Sequence, residues 1–175
     1  MASPTTPAPT PATEPATASG ADRRPPARPT GLQIPAIDVT TELVSLGLQA
    51  DRTVEVPDDP DRAGWYRLGA RPGATGAAVI LGHVDSTEGP AVFARLSSLR
   101  RGDLVRVDLA DGGRISFAVS AVHTYPNAAF PATRVYRSRG GHHDLNLVTC
   151  GGAYDRDNGG YQSNVVVYTR QLHHS

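Results

Sequence analysis

Two side chains capable of nucleophilic and acid–base chemistry stand at the ends of apolar, strand-like runs. Cys150 is the only cysteine of the chain; it ends the alternating run 145–150, and two glycines follow it. His83 comes directly after the apolar run 77–82. A lone thiol cannot form an internal disulfide, and a thiolate paired with an imidazole is the nucleophile of many thiol enzymes. We therefore predict a cysteine enzyme in which the fold brings His83 and Cys150 together.

A structural explanation competes with this prediction. A single cysteine in a strand is often a small buried hydrophobic residue, and a histidine at a strand end need not touch a substrate. The two explanations differ in what they require of Cys150. A catalytic thiol must reach solvent beside the imidazole, whereas a packing thiol is sealed in the core.

The polar residues near these positions do not form a recognisable metal motif. Asp85 follows His83 by two positions and could orient the imidazole or cap the next turn. His83 and Asp85 could offer metal ligands, and so could His142, His143 and Asp144. Neither group has a known metal-binding spacing. We expect no metal and no cofactor.

The composition limits the classes of partner. Seventeen cationic and seventeen acidic side chains are interspersed and give a net charge of zero, so no basic stripe is present for nucleic acid. No apolar run approaches the roughly 18–20 residues of a membrane span, and the chain as given is expected to be soluble and monomeric. Residues 1–30, mostly Pro, Ala, Thr and Ser, cannot offset their ordering entropy by burial. We expect a flexible linker over 1–30 and one catalytic domain over 31–175.

Short alternating runs separated by turn signals predict an all-β domain. The clearest is a hairpin formed by 103–109 and 114–122 around an Asp-Gly-Gly turn. The last two strands are expected at 144–150 and 164–169, with a loop rich in Gly, Asp and Asn over 151–160.

Helical signals are few. Residues 92–99 carry apolar side chains at helical spacing, and 130–136 form a proline-led loop with room for one helical turn. About eight short strands with one or two short helices predict a closed eight-stranded β-barrel.

Taken together, these motifs resemble the sortases, the cysteine transpeptidases of Gram-positive bacteria. Leu147-Val148-Thr149-Cys150 is similar to the sortase signature Thr-Leu-x-Thr-Cys, and Leu81-Gly82-His83 resembles the element that carries the catalytic histidine. The run from Cys150 to Asp155, followed by Tyr161 and by 164–167, is similar to the class F type of actinobacteria.

The resemblance implies a sortase-type barrel and a transpeptidase reaction. Cys150 would attack the Thr–Gly bond of an LPXTG-like sorting signal to form a thioester, and His83 would protonate the leaving amine. An amine of the cell wall or of another protein would resolve the thioester and so anchor a surface protein. Sortases are usually held at the outer face of the membrane by an N-terminal helix. The linker would be the stalk of such a protein, with the helix missing from this chain.

One residue of the family pattern is missing. Sortases carry an arginine on the last strand, facing the cysteine, to bind substrate and stabilise the oxyanion, but this strand offers Asn164 and Gln162. An asparagine amide can also donate to an oxyanion. Arg156 or Arg134 could instead supply a cation from a loop, and Thr149 is expected to flank the substrate.

Two other functions fit the same residues. One is a cysteine peptidase, a hydrolase in which water resolves the thioester. The other is a non-catalytic β-barrel module that binds cell-wall or protein partners.

Overall fold

The computed structural model describes residues 24–137 and 141–173, about half of which lie in β-strands. The strands are β1 (Pro29–Ile34), β2 (Val39–Leu46), β3 (Ala63–Tyr66), β4 (Gly76–Leu81), β5 (Asp85–Ser86), β6 (Gly89–Pro90), β7 (Leu104–Leu109), β8 (Arg114–Pro126), β9 (His143–Asp155) and β10 (Gly160–Gln171). The described helices are α1 (Ala132–Tyr136) and 3₁₀ turns at Pro35–Ile37, Leu96–Ser98, Asn127–Ala129 and Arg156–Asn158. Among these, no helix is long and apolar enough to cross a membrane.

Eight of the strands close into a barrel. Their order is β1-β2-β3-β4-β9-β10-β8-β7, and β7 pairs with β1 to complete the ring. Most neighbours are antiparallel, but β3 runs parallel to β2 and β4 runs parallel to β9. The short hairpin β5–β6 stands apart from the barrel. The predicted closed, eight-stranded all-β barrel is therefore confirmed.

The barrel interior is filled by aliphatic side chains, Trp65 and two fully buried phenylalanines, Phe93 and Phe117. Strand β7 shows the pattern that builds this core, because its buried residues alternate with half-buried ones. Strand β4 differs: from Ala77 to Leu81 every residue is buried. It is covered on the outside as well, because Val135 of α1 packs against Val79 and its neighbours in a second apolar cluster.

Two expectations from the sequence need correction. The helix expected at 92–99 is only a 3₁₀ turn over Leu96–Ser98. Phe93, Leu96 and Leu99 are all buried, and their three-residue spacing suits a 3₁₀ turn as well as a helix. The loop expected over 151–160 is largely a hairpin, since β9 and β10 pair as far as Asp155 and Gly160.

Two other elements lie close to where the sequence places them. The helical turn expected within 130–136 is α1. Strand β1 begins at Pro29, so two residues that composition assigns to the linker belong to a strand. Residues 1–23 of that linker lie outside the described residues.

Candidate active site

The parallel pairing of β4 with β9 places His83 and Cys150 at one rim of the barrel. Leu81 lies opposite Val148, and the amide of Gly82 continues the ladder by donating to the carbonyl of Val148 at 3.1 Å. His83 and Cys150 follow this register pair by two residues each. Side chains two positions apart leave the same face of a strand, and neighbouring strands lie about 4.8 Å apart. Extended by two residues, this register sets His83, which follows the end of β4, level with Cys150, which lies within β9.

A backbone carbonyl fixes the imidazole. Nε2 of His83 lies 2.6 Å from the carbonyl oxygen of Pro57, in the segment between β2 and β3. A carbonyl can only accept, so Nε2 must carry the proton and the other ring nitrogen, Nδ1, is left to exchange protons. Sequence reasoning missed Pro57, because the identity of a residue does not reveal where its carbonyl will point.

The thiol of Cys150 reaches solvent. Its pKa is raised above the ordinary value for cysteine, first by the desolvation of its surroundings and second by the negative charge of Asp85. A raised pKa reduces the thiolate fraction at neutral pH. The free protein therefore holds mainly a thiol, which needs a proton acceptor beside it to become a nucleophile.

Asp85 forms a hydrogen bond with Tyr161. The phenol of Tyr161 on β10 donates a hydrogen bond to Oδ2 of Asp85, which ties the β5–β6 hairpin to the β9–β10 hairpin. This hydrogen bond is the main cause of the raised pKa of Tyr161. The ring of Tyr161 also packs edge-on against Tyr154, with centroids 5.0 Å apart. Of the two roles considered for Asp85 from sequence, orienting the imidazole has no hydrogen bond to support it among the described residues.

A cavity of about 310 Å³ opens beside the thiol. Cys150, Gly151 and Gly152 line one side of it, and Tyr161 and Thr149 contribute as well. Thr149 is 4% exposed, and its hydroxyl has no hydrogen-bond partner among the described residues. A side chain would not fit at Gly151, because its Cβ would lie 2.6 Å from Cγ2 of Val165, which also lines the cavity.

The candidates for an oxyanion donor have different surroundings. Asn164 pairs directly with Cys150 across β9 and β10, and its Nδ2 donates to Oδ1 of Asn127 at 2.8 Å. Gln162 is turned into its own hairpin, where Nε2 donates to the carbonyls of Asn158 and Gly160. Arg156 is exposed in the 3₁₀ turn at the far end of that hairpin. Arg134 lies on α1 over the ring of Tyr168, away from the cavity beside the thiol.

The described residues contain no cluster of three or more His, Cys, Asp or Glu side chains that could hold a metal ion. The arrangement at the rim thus consists of an exposed thiol, an imidazole with one fixed nitrogen, and a small cavity. This combination defines a barrel protein with the functional groups of a cysteine enzyme.

Comparison with known proteins identifies the family. A family model described as the sortase domain matches residues 32–172. Because this match covers most of the chain, the protein belongs to the sortase family. Sortases are cell-surface cysteine transpeptidases. A search of curated proteins returned no match.

Solved sortase structures share the fold at low sequence identity. Sortase C1 of Streptococcus agalactiae is 18% identical with a TM-score of 0.64, and the match covers 83% of this chain and 68% of that one. A lid mutant of sortase A from Corynebacterium diphtheriae is 16% identical with a TM-score of 0.64, covering 89% and 76%. Sortase C-1 of Actinomyces oris is 18% identical with a TM-score of 0.64, covering 83% and 74%. At these identities the likeness concerns the fold.

Proposed function

We propose that this protein is a transpeptidase that cleaves an LPXTG-like sorting signal and transfers the acyl part to an amine. The observation that supports the proposal is the β4–β9 register, which ends at Leu81 and Val148, two residues before His83 and before the exposed Cys150 respectively. Membership of the sortase family supports the same reaction. We further propose that the protein belongs to the class F type and works at the extracellular face of the cell.

In the first step, the thiol of Cys150 transfers its proton to Nδ1 of His83, and the sulfur attacks the carbonyl carbon of the threonine. The C–N bond to glycine breaks, and the imidazolium returns the proton to the leaving amine. The product is a thioester on Cys150. The hydrogen bond from Nε2 to the Pro57 carbonyl holds the imidazole in position during this step.

In the second step, an external amine attacks the thioester, the C–S bond breaks, and the proton passes through His83 back to sulfur. The chain contains no lysine, so no side-chain amine of its own competes as acceptor. An amide carries two donor hydrogens, and the Nδ2 of Asn164 uses one of them on Asn127. The second hydrogen is free to meet the oxyanion opposite Cys150, which makes Asn164 our preferred donor over Arg156.

Mass spectrometry tests this function directly. The protein is incubated with an LPXTG-type peptide, with and without a glycine-like amine. A thioester adduct on Cys150 and an amide product only with the amine are expected, and Cys150→Ala and His83→Ala should each abolish product. Free acid as the sole product would identify a peptidase instead. Full turnover by Cys150→Ala would exclude cysteine chemistry altogether.

The oxyanion assignment is tested on the same reaction. Asn164→Ala should lower the rate of thioester formation about 100-fold, the cost of losing one oxyanion donor elsewhere. Arg156→Ala serves as the matched variant and should lower it less. If neither change lowers the acylation rate, the oxyanion is held by other groups.

A further inference from the structure

A second and larger cavity, of about 770 Å³, lies on the outer surface of the barrel between α1 and the strands β8, β9 and β10. Its apolar floor includes Tyr168 and Phe130. It shares no lining residue with the cavity beside the thiol. The reaction proposed above gives it no role.

Cationic side chains outnumber anionic ones in the lining of this cavity. Arg134, Arg137 and Arg170 line it, together with a single carboxylate, that of Asp144. The guanidinium of Arg134 stacks on the Tyr168 ring, with its central carbon 4.6 Å from the ring centroid. Stacking holds a guanidinium in place while leaving its edge free to donate. The cavity is thus suited to bind an anionic group such as a carboxylate.

The cavity also contains a buried acceptor that lacks a partner. Asn146 is 2% exposed and lines the cavity. Its Nδ2 donates to the carbonyl of Val135 at 2.7 Å, which fixes the orientation of the amide. Its Oδ1 has no hydrogen-bond partner among the described residues. A buried acceptor left unpaired costs free energy, and a peptide N–H is a donor that would satisfy it.

The position of the cavity relative to Cys150 follows from strand register. On β9, Asn146 precedes Cys150 by four residues and lies on the same face. On β10 the partners of Asn146 and Cys150 are Tyr168 and Asn164, so the cavity and the thiol lie on one face of both strands. Val148 and Val166, which lie between them on this face, are covered by the second apolar cluster. Four residues of strand span about 13 Å, and an extended peptide covers the same distance with about four residues.

The chemistry of transfer indicates which side of the substrate lies here. The leaving segment must depart and be replaced by the amine, so its side of the thiol has to stay open. The acyl segment stays attached through both steps and can use a formed subsite. If the threonine carbonyl of the peptide lies at Cys150, the peptide residue about four positions before the threonine lies at this cavity. That residue directly precedes the leucine of an LPXTG motif.

We propose that this cavity is a subsite for an acidic peptide segment directly preceding the sorting motif. The inference rests on the proposed function. Arg137 and Arg170, with the stacked Arg134, hold the carboxylates, and Oδ1 of Asn146 accepts a peptide N–H. The protein therefore selects its substrates partly by residues outside the motif.

The test separates binding from chemistry by using the full chain as Cys150→Ala, labelled with ¹⁵N. Two acetylated peptides are titrated by NMR; they differ only before Leu-Pro-Ala-Thr-Gly, where one has Glu-Glu and the other Gln-Gln. The acidic peptide should bind about three- to fivefold more tightly, as expected for partly exposed ion pairs. The difference should shrink as salt rises, and the side-chain amide of Asn146 should shift.

Charge variants in the same background locate the effect. Arg137→Gln should reduce the ratio of the two dissociation constants, and adding Arg170→Gln should bring it close to one. Arg101→Gln removes an exposed arginine outside the cavity lining and should preserve the ratio. Equal affinities at low salt, no binding of either peptide at millimolar concentration, or a preference that survives the double change would each overturn the proposal.

Failure of the proposed function would look different. If the protein with Cys150 intact forms no thioester with either peptide, the transpeptidase mechanism is contradicted. A preference of Cys150→Ala for the acidic peptide would still show the subsite. Thioester formation together with equal affinities for the two peptides would support the transpeptidase function and contradict the subsite.

Discussion

The thiol of Cys150 reaches solvent, yet desolvation and the carboxylate of Asp85 both raise its pKa. The carboxylate acts by charge, since it destabilises a second negative charge nearby. The same carboxylate accepts a hydrogen bond from the phenol of Tyr161, which holds it in place between two hairpins. The reactivity of the thiol is therefore set partly by the charge of Asp85.

Replacing Asp85 by asparagine should make the thiol more reactive at neutral pH. Asn keeps an acceptor for Tyr161 but removes the negative charge, so the pKa of Cys150 falls and the thiolate fraction at pH 7 rises. The rate of alkylation by iodoacetamide, followed as a function of pH, should shift its rise to lower pH. Glu88→Gln in the same hairpin is the control and should leave the profile in place. A profile that is unchanged in Asp85→Asn, or displaced to higher pH, would contradict this account.

Among the elements, the end of β4 is where packing and chemistry meet. Gly82 continues the ladder to β9 and directly precedes His83. A Cβ at this position would lie 2.6 Å from Cδ2 of Phe93 and 2.8 Å from Cγ1 of Val92. Phe93 is fully buried, so it cannot move aside freely. The close approach of β4 to the segment after β6 thus requires glycine.

The change Gly82→Ala should weaken both the fold and the site. Overpacking of this kind costs about 1–3 kcal/mol, and any shift of the strand end also moves the imidazole. Urea unfolding should report the lower stability, and thioester formation should fall beyond what the unfolded fraction explains. Gly113→Ala, in the exposed turn between β7 and β8, is the matched control and should affect activity little. Unchanged stability in Gly82→Ala would show that Phe93 has room to retreat.

At the scale of the whole molecule, one interior cluster joins strands from both ends of the chain. Leu32 of β1, Val107 of β7 and Leu147 of β9 are all fully buried in it. Trp65, the only tryptophan, belongs to the same cluster and donates to the carbonyl of Ala70 at 3.1 Å. A shared core of this kind favours unfolding in one step.

Truncating a core residue should therefore lower the stability of the entire barrel. Leu147→Ala removes a fully buried side chain three residues before Cys150, and the free energy of unfolding should fall by about 2–5 kcal/mol. Trp65 fluorescence and far-UV circular dichroism should report the same midpoint in urea. Leu48→Ala, at a residue that is 42% exposed, should change the midpoint far less. Separate midpoints for the two probes would mean that the barrel unfolds in parts.

The sequence by itself determined the strand-rich class and the closed barrel, and it predicted His83 and Cys150 as the two catalytic residues. These follow from local information: alternation of apolar residues reports which face of a strand is buried, and a lone cysteine has few chemical uses. The β7–β8 hairpin is an example, since its turn and both flanking runs are contiguous in the chain.

Only the tertiary structure decided what surrounds those two residues. The parallel pairing of β4 with β9, the Pro57 carbonyl on the imidazole and the Asp85–Tyr161 hydrogen bond all join segments distant in sequence. Residue type does not encode such contacts, because they depend on how the barrel closes. The 151–160 segment was misjudged for a related reason: its glycines signal a turn, but pairing between β9 and β10 extends far into it.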